Sequence, residues 1–284
     1  MVILSDLMSN TDTYLSFFSK LTNFAPISAL ALFFLGMMRI APVIAMAPFF
    51  GSKTPSPVKM GLLIALTVIF VPHMALTSQT LIGFNVTFII LCVKELFIGF
   101  VLALFVSIPF YMAESAGVTI DFLRGSSSLQ VTDPFSQSQA SDLGILYNMI
   151  LVVIFYQIDG PFYFFNALFD TYTLIPADGW MPEQFFNFNH PFWQTVWGAV
   201  NRVMAVGIQL AAPSLLAILM TEMFLGIANR LAPQVQIAFL GMSLKSLVGL
   251  AMLSAAWFFI LQQMTKQTMI WISDMNKIVH TLNS

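Results

Sequence analysis

Apolar residues run in long stretches along the chain, and charged residues fall mostly at the borders between them. No charged residue occurs at 60–93, 96–113, 143–158, 203–221 or 246–265. About 20 helical residues cross about 30 Å of hydrocarbon, so runs of this length are typical of helices in a membrane or a buried core. The pattern predicts about six hydrophobic helices, over 25–50, 60–76, 86–113, 143–157, 195–228 and 235–264.

The two ends of the chain have a weaker, periodic pattern. Apolar residues recur at roughly helical spacing within 1–24, where we expect a short helix in a membrane interface. Residues 264–284 are predicted to form an amphipathic C-terminal helix that lies on a membrane, docks on a partner or packs on its own chain. Its apolar stripe comprises Met264, Thr268, Trp271, Met275, Ile278 and Leu282. Since no long polar stretch separates these segments, we expect a single helical domain over 1–284.

The composition narrows the class of protein. Of the 284 residues, 58% are hydrophobic and 8% are charged, against about 45–50% and about 25% in a soluble domain. So few charges cannot cover a soluble surface of this size, which excludes an ordinary soluble enzyme and a disordered chain. A net charge of -2 offers no basic surface to nucleic acid. We therefore predict an all-α, polytopic hydrophobic helical protein in membrane lipid.

The charge distribution conflicts with a simple stack of membrane spans. No Lys or Arg occurs between Arg124 and Arg202, so the positive-inside rule places the 158–192 connection outside the cytoplasm. Six simple spans would then put both termini outside, although the C-terminal tail carries Lys266 and Lys277. Either one segment is re-entrant, or the helices do not form a conventional stack.

Several ionisable residues lie within or at the ends of the apolar segments. Each costs about 2.5–3.5 kcal/mol at mid-bilayer depth. Adjacent Lys94 and Glu95 are expected to point to different helix faces and so cannot neutralise each other. Glu222 and Arg230 lie roughly 12 Å apart along a helix, too far for a direct pair. Such charges either snorkel to the membrane interface or find partners on other helices or other chains. The candidate subunit-interface charges are Arg39, Glu95, Glu222, Arg230 and Lys245.

Small residues recur at helical spacing in two segments. Gly99, Ala103 and Ser107 repeat at a spacing of four, and Gly241 and Gly249 lie two turns apart. Such stripes let helices approach closely. They predict helix packing, either inside one bundle or at an oligomer contact.

The sequence has no recognisable catalytic or cofactor motif. It lacks a phosphate-binding G-x-x-x-x-G-K-[ST] loop, and its three histidines have no second ligand at metal-binding spacing. We therefore expect no enzyme activity, no cofactor and no metal. An intramembrane hydrolase is disfavoured by the missing motifs. The main alternative is a secondary transporter or small-solute channel of the inner membrane, although no convincing internal repeat supports it.

Three stretches, taken together, resemble one family. The first runs from Arg39-Ile-Ala-Pro42 through Ala47-Pro48-Phe49 and Pro57-Val58-Lys59 to Val71-Pro72. The second runs from Lys94-Glu95-Leu-Phe-Ile-Gly99 through Ala116-Gly117 and Asp121 to Asp170-Thr-Tyr172 and Ile175-Pro176. The third contains Ala212-Pro213, Leu225-Gly226-Ile-Ala-Asn-Arg230-Leu-Ala-Pro233-Gln234-Val235, Lys245 and Gly249. Their order and spacing resemble the FliR/SctT family of the type III secretion export apparatus, over roughly residues 30–260.

The resemblance implies an architecture and a set of partners. The T-type subunit of this family is built from long helical hairpins, like an R-type and an S-type subunit joined in one chain. With separate R-type and S-type subunits it forms a helical cone, the export gate and entry portal for unfolded secreted proteins. A U-type switch protein wraps the cytoplasmic mouth, and a V-type export gate lies below. The expected location is the bacterial inner membrane at the base of a secretion apparatus, with the injectisome of virulence systems favoured over flagellar biosynthesis.

The resemblance also implies a plug that closes the pore. By chain order we place it in a loop at about residues 109–125, where glycine would give a movable segment its backbone freedom. The predicted plug residues are Pro109, Met112, Glu114, Gly117, Asp121 and Gly125.

Overall fold

The computed structural model of the chain describes residues 26–51, 54–78, 80, 82–125, 141–181, 191–231 and 237–281. Their α-helices are α1 (Pro26–Met46), α2 (Ser56–Thr77), α3 (Val86–Leu123), α4 (Asp142–Gln157), α5 (Gly160–Leu174), α6 (Pro191–Leu231), α7 (Ile237–Ala255) and α8 (Trp257–Thr281). A short 3-10 helix at Pro48–Phe50 follows α1. No strand occurs among these residues, and the predicted all-α class is confirmed. The interfacial helix expected at 1–24 lies outside the described residues.

The helices follow the predicted apolar segments with three differences. Helix α3 continues to Leu123, beyond the end predicted at 113. The segment predicted as one helix over 235–264 is broken at Ala256 into α7 and α8. Helix α5 lies within 158–192, where the sequence predicted only a connection. Its first turn contains Pro161, and a proline fits there because its fixed φ suits the start of a helix.

Within the described residues, four helices are long and apolar enough to cross a membrane, namely α1, α2, α3 and α6. The count rises to six if the bent pairs α4–α5 and α7–α8 each form one span. Helices α7 and α8 meet at 64°. Asp159 lies at the break between α4 and α5 with φ 57°, a left-handed conformation that Asp adopts more readily than most residues. A bent pair is either one broken span or a re-entrant loop, so the departure from six simple spans that the charge distribution predicts stays a prediction.

The chain divides into two compact units. The first takes the described residues of 1–107, 161–195 and 274–284, and the second those of 108–160 and 196–273. The chain passes from one unit to the other within α3, between Ser107 and Ile108. The expectation of a single domain over 1–284 stays a prediction.

In the first unit, α2 packs on α1 and on the aromatic side chains of α5. A Cβ atom on Gly36 of α1 would meet the side chains of Met74 and Thr67 on α2. Phe70 of α2 stacks on Phe169 of α5, with ring centroids 4.1 Å apart. These contacts hold α5 close to α1, where a charged side chain of α1 reaches the end of α5.

In the second unit, α4 packs between α3 and α8. Phe110 of α3 meets Phe155 of α4 edge-on, with ring centroids 5.4 Å apart. Tyr147 of α4 meets Trp257 of α8 in the same way, at 6.3 Å. Phe110 and Tyr147 are fully buried, so these aromatic pairs lie in the core of this unit.

The amphipathic C-terminal segment belongs to α8, which begins at Trp257 and ends at Thr281. Its stripe is buried at Met264, Thr268, Trp271 and Met275. The side chains at 276–284 lie outside the described part. Of the three arrangements that the sequence left open, the burial favours packing on the protein's own chain.

Candidate functional site

The first unit contains a buried ion pair that joins α1 to α3. Arg39 and Glu95 are both 0% exposed. The guanidinium holds the carboxylate through two hydrogen bonds, from Nε to Oε2 and from Nη2 to Oε1 at 2.8 Å. It also donates to Thr171 Oγ1 at 3.1 Å and to the Ile175 carbonyl at 2.9 Å. The ring centroid of Tyr172 lies 4.0 Å from Arg39 Cζ, so one guanidinium links α1, α3 and the end of α5.

A second cation, Lys94, lies next to this pair and binds the chain just after α5. Its Nζ donates to the carbonyls of Pro176 at 2.9 Å, Ala177 at 3.1 Å and Gly179 at 2.9 Å. These three carbonyls belong to the turn at 176–179, which follows the last residue of α5 and is closed by a hydrogen bond from the Gly179 N–H to the Pro176 carbonyl. Lys94 therefore stabilises the turn that ends α5.

The expectation that Lys94 and Glu95 cannot neutralise each other is wrong. Lys94 Nζ lies 2.9 Å from Glu95 Oε1, because the long lysine side chain reaches back to its neighbour. Moving each ion out of water costs several kcal/mol, and this cost is offset by the four hydrogen bonds of Arg39 and by the three hydrogen bonds and one ion pair of Lys94. The sequence predicted that these charges find partners on other helices or on other chains. For Arg39 and Glu95, the partners lie on other helices of this chain. An interface role for these two residues stays a prediction.

The small residues of α3 allow it to lie close to α1 beside the ion pair. A Cβ atom on Gly99 would collide with the backbone carbonyl of Arg39. Ser107 donates to Ala103 O at 2.7 Å and lies 3.4 Å from Met46 O. Ala103 lies between them on the same face and is fully buried. Of the two alternatives for this stripe, the contacts favour packing inside the chain.

In the second unit, α6 and α7 run antiparallel and carry a second ion pair. A Cβ atom on Gly241 would lie 3.3 Å from Leu225 Cδ1, and one on Gly249 would lie 2.9 Å from Ile218 Cδ1. Between these two contacts, Lys245 Nζ lies 2.6 Å from Glu222 Oε1. The predicted packing glycines and two of the predicted interface charges therefore occupy one face of the α6–α7 hairpin.

This second ion pair lies at the surface of the chain, in apolar surroundings. The Glu222 side chain is 54% exposed and that of Lys245 is 21% exposed. Neighbouring Met223 and Phe224 on α6 are also exposed. Arg230 is exposed two turns further along the same helix. A protein that covers a charged pair within an apolar surface must offer matching polar groups, because burying a charge without a partner is costly.

The segment predicted as a plug loop is mostly helical. Residues 109–123 belong to α3, and only Arg124 and Gly125 form a turn, with Gly125 at φ 85°. The prediction of a loop is wrong for 109–123, because the apolar helix continues through Pro109 and is held by contacts with α4. The role of the segment as a plug stays a prediction.

The predicted plug residues hold α3 against α4 in this structure. Asp121 Oδ2 accepts hydrogen bonds from Ser141 Oγ and from the Leu143 backbone N–H at 3.0 Å. Glu114 Oε2 accepts one from Asn148 Nδ2 at 3.1 Å. Four of the six are buried, namely Pro109, Met112, Gly117 and Asp121. The other two, Glu114 and Gly125, are half-buried.

The sequence reasoning missed the exposed side chains of the same segment. Tyr111 is 44% exposed, Val118 is 44% exposed and Phe122 is 68% exposed. Their spacing of seven and four residues puts them on one face of α3. That spacing was the signal in the sequence, and it was hidden because other apolar residues of the segment lie between these three positions. Among the residues that the structure describes, no cluster of His, Cys, Asp or Glu is arranged to hold a metal ion.

Comparison with known proteins identifies the family. The profile described as "Bacterial export proteins, family 1" matches residues 30–269 of the chain. The chain belongs to the FliR/SctT family. The resemblance carried by the three sequence stretches is thereby confirmed, and most of the described helices fall within the matched range.

Individual relatives come from both branches of the FliR/SctT family. The chain is 29% identical over 165 residues to Yop proteins translocation protein T of Yersinia pestis, over 57% of this chain and 60% of the relative. It is 25% identical over 201 residues to the secretion system apparatus protein SsaT of Salmonella typhimurium, over 70% and 75%. It is 26% identical over 230 residues to the flagellar biosynthetic protein FliR of Escherichia coli, over 81% and 85%. The preference for the injectisome branch stays a prediction.

Proposed function

We propose that this protein is the T-type subunit of a type III export apparatus. With R-type and S-type subunits it forms the entry portal through which unfolded proteins leave the cytoplasm. The observation that carries the proposal is the family match over residues 30–269. The complex lies in the bacterial inner membrane, with a U-type switch protein and a V-type export gate at its cytoplasmic side.

The surface of the α6–α7 hairpin supports a role in assembly. Glu222, Gly226 and Arg230 are spaced by four on α6 and share one face. A Cβ atom on Gly226 would meet no other atom within 4 Å, so a neighbouring helix can approach there closely. The exposed carboxylate and guanidinium on either side would then select a partner of complementary charge.

The test is co-expression with R-type and S-type subunits of a type III export apparatus. We expect a tag on the R-type subunit to recover this chain from detergent-solubilised membranes. As a control, the chain expressed alone is purified under the same conditions. A chain that is stable alone and is never recovered with these subunits would contradict the proposal.

The plug proposal is retained for residues 109–125, now as a helical segment. Its exposed face, with Tyr111, Val118 and Phe122, is the part that can contact a pore without disturbing the packing of α3 on α4. Replacing Val118 and Phe122 together by Ala is expected to raise the ion conductance of the closed complex in a planar bilayer. The matched control is Phe100→Ala, which removes an exposed phenylalanine from α3 outside this segment. Equal conductance in the double variant, the control and the unmodified complex would remove the plug role from this face.

The proposal includes no enzyme activity, no cofactor and no metal. The alternative of a secondary transporter or small-solute channel is disfavoured, since the family profile is that of bacterial export proteins. A portal for unfolded chains needs an adaptable lining rather than a fixed pocket. The 18 methionines of the sequence fit that requirement.

A further inference from the structure

The second unit contains a cleft of ≈ 430 Å³ between α6 and α8. Its polar lining consists of Gln209 on α6 and of Gln262, Gln263 and Lys266 on α8. None of these four side chains has a hydrogen bond or ion pair with another residue that the structure describes. Three of the four are exposed and Gln263 is half-buried, so their donors and acceptors are free to bind a polar molecule in the cleft.

The helix backbone adds another polar group to the cleft. Pro213 also lines it and lies inside α6. A proline has no N–H, so the carbonyl four residues earlier, that of Gln209, lacks its helical donor. Both residues line the cleft, which makes this carbonyl a candidate acceptor for a bound ligand.

The charge of the lining selects the kind of ligand. Lys266 is its one charged residue, and no acidic residue lines the cleft. A single lysine favours a singly charged anion such as a phosphodiester. The three carboxamides both donate and accept hydrogen bonds, which suits hydroxyl groups next to the anion. An ammonium headgroup would instead need a carboxylate.

The cleft also has an apolar side that fits lipid. Phe259 and Ile260 line it beside the polar residues, and Phe259 is 69% exposed. An acyl chain lying on this ring would continue from a headgroup held by Lys266. We propose that the cleft binds a phosphatidylglycerol molecule, with Lys266 on the phosphodiester and the glutamine carboxamides on the glycerol hydroxyls.

The test uses the full chain in detergent after removal of endogenous lipid. Native mass spectrometry measures retention of added phosphatidylglycerol, phosphatidylethanolamine or phosphatidylcholine. We expect preferential retention of phosphatidylglycerol. Equal retention of the three lipids would overturn the proposal. Glycerol phosphate and inorganic phosphate are tested as free anions, and competition by either one at the concentration of the lipid would assign the cleft to a soluble anion instead.

Two variants locate the binding. Lys266→Gln is expected to weaken phosphatidylglycerol binding by about tenfold, the effect of losing one charge-assisted contact. Gln262→Leu, at an exposed position, is expected to weaken binding of phosphatidylglycerol but not of its headgroup-methylated analogue. The matched control is Lys59→Gln on α2, in the other unit. Unchanged binding in Lys266→Gln, or the same loss in Lys59→Gln, would overturn the assignment.

Discussion

At the scale of single residues, two ion pairs of this protein have different surroundings. Arg39 and Glu95 are enclosed by the chain and hold α1, α3 and the end of α5 together. Glu222 and Lys245 form an ion pair that stays partly exposed. Ion pairs in similar apolar segments can therefore have different roles. The buried pair holds helices of this chain together, and the exposed pair remains available to a neighbouring protein.

Removing one member of the buried pair should destabilise the chain. Glu95→Gln leaves the Arg39 guanidinium without its counter-charge, and we expect the free energy of unfolding to fall by about 3–5 kcal/mol. The double variant Arg39→Met with Glu95→Leu should lose less, since no uncompensated charge remains. Denaturant unfolding of the purified chain in detergent measures both.

Lys59→Gln is the control for loss of a charge outside the cluster. If Glu95→Gln unfolds at the same denaturant concentration as this control, the ion pair does not stabilise the fold. If the double variant is the less stable of the two, the explanation by an uncompensated charge is incorrect.

The exposed pair can be tested by exchanging its members. Glu222→Lys together with Lys245→Glu keeps an ion pair within the α6–α7 hairpin but reverses the charges presented to a neighbour. We expect normal amounts of the variant in the membrane and loss of its recovery with R-type and S-type subunits. Recovery equal to that of the unmodified chain would mean that the pair only stabilises the packing of α6 on α7.

The sequence identified these charged residues but could not pair them. Arg39 and Glu95 stand 56 positions apart, and their contact depends on the close approach of α1 and α3. The contact between Lys94 and Glu95 was missed for a different reason. Adjacent residues of a helix start out toward different faces, but the lysine side chain is long enough to reach back to its neighbour. The contact between Glu222 and Lys245 could not be predicted without knowing that α6 and α7 form an antiparallel hairpin.

At the scale of the elements, glycine determines how closely the helices pack. Gly99 faces the Arg39 carbonyl, whereas Gly61 of α2 has no atom near the position of a Cβ. The two glycines lie in apolar helices of the same unit, but only the first is needed for a helix contact. This contrast makes them a matched pair for mutation.

Gly99→Ala is expected to lower the free energy of unfolding by about 1–3 kcal/mol, because the added methyl group pushes α3 away from α1. Gly61→Ala should instead raise it by about 0.5–1 kcal/mol, because alanine favours the helix and meets no neighbour. Thermal unfolding of both variants in the same detergent measures the difference. Equal effects of the two substitutions would contradict the role of Gly99 in helix packing.

The positions of the helices were largely predictable, and their breaks were not. Apolar runs predicted four of the six segments closely and the start of α3 as well, since burial or lipid requires a continuous apolar helix. The break at Ala256 has no glycine or proline nearby to signal it. Helix α5 was missed because its aromatic-rich stretch is followed and preceded by acidic residues, which suggested a connection outside the membrane.

At the scale of the whole molecule, the central claim is that this chain is one subunit of a larger portal. Many large apolar side chains are exposed, including Met204, Leu216, Met220 and Leu231 on α6 alone. Exposed apolar side chains in such number indicate contacts with lipid or with other proteins. The sequence predicted this through its high apolar fraction, but only the family match separates a subunit of an export complex from an independent membrane protein.

The most direct test is the native mass of the complex recovered through a tag on this chain. We predict a single species that contains one copy of this chain together with R-type and S-type subunits, and no excess of the free chain. A mass equal to that of the chain alone, or of a homo-oligomer without the other two subunits, would contradict it.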